Sequence, residues 1–148
     1  MGNRVLEAVR IERFAEAGTG RTRTVAGLRA ITAAALLLSA DVHLVLYLGG
    51  FGQIAVIGPL FLVNVVAGLA LALGVLLIRH PLVLLGAAGF GVATFGAYLL
   101  SATVGLFRLH ETTWDTQAVL AAVAEIVVIV GAVLVWVAER TGRHDDRA

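Results

Sequence analysis

Asp41, His43, Asn64, Tyr98, Ser101 and Glu125 all stand inside long apolar stretches of the chain. An ionisable side chain at the centre of a hydrocarbon layer costs roughly 2.5–3.5 kcal/mol on insertion scales, so each is a functional candidate by default. Two kinds of chemistry suit these residue types. The carboxyl, imidazole, amide and hydroxyl groups could hold a small ligand or handle a proton, with Glu125, Asp41, His43 and Asn64 at the centre. They could instead satisfy one another as a packing cluster, with Glu125 neutral and hydrogen-bonded to Asn64 or Tyr98. A metal would need at least three ligands converging from Asp41, His43, His110, Glu111 and Glu125, whose spacing is not diagnostic, so no metal site is predicted. Haem needs axial ligands facing each other across a cavity. His43 and His110 differ in depth, and no haem is predicted. The chain has no cysteine, which removes thiolate nucleophiles and disulfides. It also lacks a nucleophile elbow, a zinc-protease helix, a phosphate loop and a dinucleotide fingerprint, so the sequence predicts no enzyme.

The elements that must carry these groups follow from composition. Of 148 residues, 59% are hydrophobic and 14% charged, with a mean hydropathy of +0.95, whereas soluble domains carry about a quarter charged residues. That excludes an ordinary soluble globular protein. Fourteen of the 21 charged side chains lie in residues 1–27 and 138–148. Four stretches, 28–48, 53–78, 82–107 and 116–137, reach the roughly 20 apolar residues that span a bilayer as a helix. Short links force neighbours to run in opposite directions, and backbone groups in lipid must be satisfied internally. The predicted fold is therefore all-α, an up-down four-helix transmembrane bundle. Ala30 to Leu38 resembles a signal-peptide core, but apolar character resumes from Val42 to Leu48, so this segment is read as an uncleaved span.

Arginine sets the orientation. Arg4, Arg10, Arg13, Arg21, Arg23, Arg29, Arg79, Arg140, Arg143 and Arg147 fall on one side and only Arg108 on the other, so both termini are expected in the cytoplasm. Tyr47, Phe51, Phe107 and Trp114 form an outer aromatic belt, with Trp136 on the inner boundary. Residues 1–27 read as a basic cytoplasmic tail, with Gly18 to Thr24 as a flexible linker, and residues 138–148 as a second tail. A net charge of +1 gives a nucleic-acid role no support.

At about 1.5 Å per residue from the outer ends, His43 lies roughly 8 Å deep, Asp41 and Ser101 about 10 Å, Tyr98 and Glu125 about 14 Å and Asn64 about 16 Å. All six belong to the outer half or its floor. Asp41 and His43 are about 200° apart on their helix, so they cannot both face one partner. His43 shares a stripe with Thr32, Leu36, Ser39 and Tyr47, and this stripe is expected inside the bundle. Helix association in lipid relies on small residues. Gly89, Ala93, Ala97, Ser101 and Gly105 make a ridge on the third span, expected to face inward or to serve a dimer contact. Gly68 with Asn64 and Ala72, and Ala118 with Ala121 and Ala122, are expected to face inward too. Pro59 falls in the first two turns of the second helix, Pro81 opens the third, and Asp115 is the expected N-cap of the fourth.

His43-Leu44 with Tyr47, the run Ile57-Gly58-Pro59-Leu60-Phe61-Leu62-Val63-Asn64, Tyr98-Leu99-Leu100, and Gly105-Leu106-Phe107 with Glu111 resemble small four-span membrane proteins of high-GC Gram-positive bacteria. The resemblance covers about residues 28 to 137 and implies a plasma-membrane location and no particular activity. Taken together, the sequence favours a non-enzymatic accessory or interaction subunit whose polar layer holds the bundle together. Its partners would be the lipid bilayer and a membrane protein or a second copy. A ligand, metal or proton site on Glu125, Asp41, His43 and Asn64 is the alternative.

Overall fold

The computed structural model describes residues 2–103 and 116–145, with side chains described over 18–103 and 116–142. These residues form four helices, α1 (Gly2–Leu48), α2 (Ile57–Leu77), α3 (Pro81–Thr103) and α4 (Thr116–Asp145), with a 3-10 turn at Phe51–Gln53 and no strand among them. All four are long and apolar enough to cross a membrane, as a multi-pass membrane protein requires. Phe107, Arg108, His110, Glu111, Trp114, Asp115 and the last position of the small-residue ridge, Gly105, lie outside the described residues.

The expected linker at Gly18 to Thr24 is helical, so α1 is continuous from Gly2. Glycine and threonine disfavour a helix by up to about 1 kcal/mol per residue, but tertiary contacts override that preference here. Arg21 donates to the Ala138 carbonyl at 2.9 Å and to the Thr141 hydroxyl at 2.6 Å on α4. The Thr22 and Thr24 hydroxyls donate to the carbonyls four residues earlier. At its other end α1 stops at Gly49-Gly50, where Gly50 takes φ +125°, a conformation open mainly to glycine. The chain then makes the 3-10 turn before α2 begins at Ile57, four residues later than expected. Pro59 is the third residue of α2, where the amide it lacks would have no intrahelical acceptor. Pro81 opens α3, and the His80 ring nitrogen Nδ1 accepts from the Leu82 amide at 3.2 Å, which makes His80 the cap of that helix.

The core is built from small and branched residues. Leu36, Val75, Leu84, Ala87, Val128 and Val135 are at most 2% exposed. α1 is central, packed on both α2 and α4; α4 also packs on α3, and the contact between α2 and α3 is the thinnest. Along α1, Arg29 meets Val75 and Ile78 of α2, Leu36 and Ala40 meet Gly68, and His43 meets Phe61. Thr32 of α1 presses on Gly131 of α4, where an added Cβ would collide with the threonine hydroxyl.

The first half of the ridge on α3 does not pack the helices together, although Ser101 further along it is buried. Gly89 and Ala93 are exposed, and nothing stands within 4 Å of where a Gly89 Cβ would be. Leu84, Ala87 and Gly91 face the bundle instead, and a Cβ at Gly91 would stand 2.8 Å from Ile129 and 3.0 Å from the Glu125 carbonyl. The four-residue repeat of small side chains is real, but Ala87 and Gly91 lie about 160° around the helix from Gly89, and it is their face that turns inward.

Candidate functional site

The polar groups within the helices separate into two clusters at opposite ends of the bundle. The first is a clasp at the Arg29 end. Arg29 is 5% exposed and donates to the Val75 carbonyl at 2.8 Å, the Ile78 carbonyl at 2.5 Å and the Glu139 carboxylate at 2.6 Å. The last carbonyls of a helix have no intrahelical donor, so one guanidinium caps α2 while its ion pair holds α4. Beside it, Arg140 lies 3.9 Å over the Trp136 ring. In the sequence Arg29 stands out only as one of the charges that set the topology. Its position as the one arginine inside the first apolar stretch was the available signal.

The second cluster lines a cavity of about 360 Å³ at the His43 end, walled by all four helices. His43, Asn64, Tyr98, Ser101 and Glu125 all contribute to its surface, and Thr94 joins them. Asp41 does not: it is exposed on the opposite face of α1, as its 200° offset from His43 requires. Thr32, Leu36, Ser39 and His43 form one buried stripe, with Tyr47 half-buried at its end. Gly68 lies below the cavity against Ala40 and the Leu36 carbonyl. Of the small-residue ridge, Ala93, Ala97 and Ser101 line this cavity.

The Thr94 hydroxyl donates to the Phe90 carbonyl at 2.9 Å, so its free lone pair accepts from the Asn64 amide nitrogen at 3.0 Å. That fixes the amide orientation and leaves Asn64 Oδ1 as a buried acceptor without a partner. His43 Nδ1 is 2.8 Å from the Ser39 carbonyl. A carbonyl only accepts, so Nδ1 carries the proton in the neutral ring and Nε2 is an acceptor. The ring stands edge-on to Phe61, their centroids 5.2 Å apart.

Glu125 is 1% exposed, and neither carboxyl oxygen has a hydrogen-bond partner. The expected bond from Glu125 to Asn64 or Tyr98 is therefore absent for Asn64, whose amide is turned to Thr94, and no Tyr98 hydroxyl meets the carboxyl. Ala97, Ala118 and Ala121 share the cavity wall with Glu125, and their short side chains leave its space open. The hydrogen bond from Asn64 to Thr94 ties α2 directly to α3.

The described residues hold no group of three or more metal-ligating side chains, in keeping with the dispersal of Asp41 and Glu125. Comparison of the chain with family models, with curated proteins and with solved structures returns no significant match.

Proposed function

We propose that this chain is a multi-pass protein of a bacterial plasma membrane that binds a small lipophilic molecule in the cavity at the His43 end. The single observation that carries this reading is Glu125, whose two carboxyl oxygens stand unpartnered in the wall of a cavity while the residue is 1% exposed. Buried polar atoms are normally satisfied, and a specific exception calls for a role. A largely apolar pocket with a few convergent polar groups is the usual form of a ligand site. A structural polar layer, the role of an accessory subunit, would instead satisfy its members mutually, and this layer leaves Glu125 and Asn64 Oδ1 unsatisfied.

Two features support an up-down bundle with both termini in the cytoplasm. Paired positions along neighbouring helices run in opposite order, and Arg29, Arg79 and Arg140 gather at one end, as positive residues do on the cytoplasmic side. The cavity then lies in the outer half of the membrane. The location is the one implied by the resemblance to four-span proteins of high-GC Gram-positive bacteria. We read the site as a binding site and assign it no catalytic step.

The absence of cysteine permits a direct test. Single variants Ala121→Cys, in the cavity wall, and Ala87→Cys, in the core, are reconstituted and treated with methyl methanethiosulfonate. Ala121→Cys is expected to react at least tenfold faster, and decylamine, decanol or decanoate to slow that reaction saturably. Equal inertness of the two thiols, or indifference to all three probes, would sink the ligand-site reading. Asp41→Asn, outside the cavity, is expected to leave both results unchanged.

A further inference from the structure

We infer that the ligand is an organic amine, primary or secondary, with an apolar tail that lies between α2 and α3; this rests on the reading of the cavity as a ligand site. The cavity wall is rich in hydrogen-bond acceptors. Glu125 Oε1 and Oε2 and Asn64 Oδ1 are buried without partners, and His43 Nε2 is left as an acceptor by the bond from Nδ1 to Ser39. Of the donors that face the space from α1 and α2, His43 Nδ1–H is spent on Ser39 and one of the two Asn64 amide N–H groups on Thr94, while Tyr98 and Ser101 of α3 add hydroxyls that both donate and accept. A complement to this set must bring several N–H or O–H donors and few acceptors.

Amines meet that demand better than alcohols or acids. A primary ammonium brings three donors and a secondary one two, an alcohol brings one donor with two acceptor lone pairs, and a carboxylate brings acceptors only. Charge favours the same choice. An amine with a carboxyl group is neutral as a pair whichever of the two holds the proton, so no uncompensated charge is left in a low-dielectric site.

The tail follows from the walls. Leu46, Ile57, Leu60, Phe61 and Phe90 make most of the surface apolar. Leu60 and Val63 of α2, 47% and 63% exposed, and the exposed Ala93 of α3 belong to the cavity and to the outer surface at once. The cavity therefore opens sideways where α2 and α3 part, with Ala93 and Ala97 too short to close the gap. An amphiphile enters from lipid through such an opening with its polar head inward.

The test uses the reactive Ala121→Cys chain in vesicles of neutral phosphatidylcholine, with four probes: decylamine, decyltrimethylammonium, decanol and methylamine. Decylamine is expected to protect the thiol at a concentration at least tenfold below the other three. Decyltrimethylammonium shares its charge and tail without an N–H, decanol shares the tail with one donor, and methylamine lacks the tail. Adding Glu125→Gln is expected to erase the preference for decylamine over decanol while decanol still protects, and Asn64→Leu to reduce that preference several-fold; retained helical circular dichroism shows that both variants fold. Equal protection by decylamine and decanol, or a preference that survives Glu125→Gln, would overturn the amine assignment while leaving a ligand site in place. A thiol that no probe protects would instead remove the cavity reading itself.

Discussion

A buried polar group without a hydrogen bond costs about 1–3 kcal/mol, so Glu125 lowers the stability of the protein when its cavity is empty. Glu125→Leu, of similar volume and without polar atoms, is expected to raise the thermal unfolding temperature in detergent, by the equivalent of about 1–3 kcal/mol, and to reduce protection by decylamine to the level of decanol. A loss of stability instead would mean that the carboxyl is structural. The candidate residues themselves were legible in the sequence, because a polar side chain in an apolar span is conspicuous whatever its surroundings. So was the divergence of Asp41 from His43, which follows from helix geometry within one element. The partners were not legible. Whether Glu125 reaches Asn64 depends on the distance between helices and on a competing acceptor at Thr94, neither of which is encoded in local spacing.

Between elements, Arg29 is the joint. Replacing it leaves two helix-end carbonyls and the Glu139 carboxylate without their donor, and breaking a buried pair of this kind costs about 3–5 kcal/mol. Arg29→Ala is therefore expected to lower the unfolding temperature sharply, and Arg29→Ala with Glu139→Gln less than the sum of the two single changes. The two glycines Gly131 and Gly89 separate packing from repetition. Gly131→Ala pushes a methyl into Thr32 and should cost about 1–3 kcal/mol. Gly89→Ala enters open space and should be neutral or add up to about 1 kcal/mol of helix preference. A severe loss from Gly89→Ala would show that the ridge packs against something after all, such as a second copy. The four long helices were readable from apolar length alone. The extension of α1 through Gly18 to Thr24 was not, since local preference opposes it and contacts from Arg21 to α4 outweigh that preference.

For the whole molecule, the distribution of arginine and the even number of spans expect reporter fusions at both termini on the cytoplasmic side, with one inserted at Gly50 on the opposite side. Both termini on the outside would reverse every statement of depth and move the cavity to the other leaflet, and termini on different sides would refute the even number of spans. The charge asymmetry and the position of the cavity belong together, because an ionisable cluster at one end and an arginine clasp at the other give the bundle a polar, open half and a closed half.

Composition and periodicity by themselves determined that this chain crosses a membrane-sized apolar thickness several times as helices, since hydrophobic length is a property of each segment alone. They also determined which side chains are out of place there. Only the tertiary structure decided which faces meet, that the small-residue ridge lines a gap, and that Glu125 confronts empty space. Those outcomes depend on rotation and separation between helices, which are set by side chains far apart in the chain acting at once.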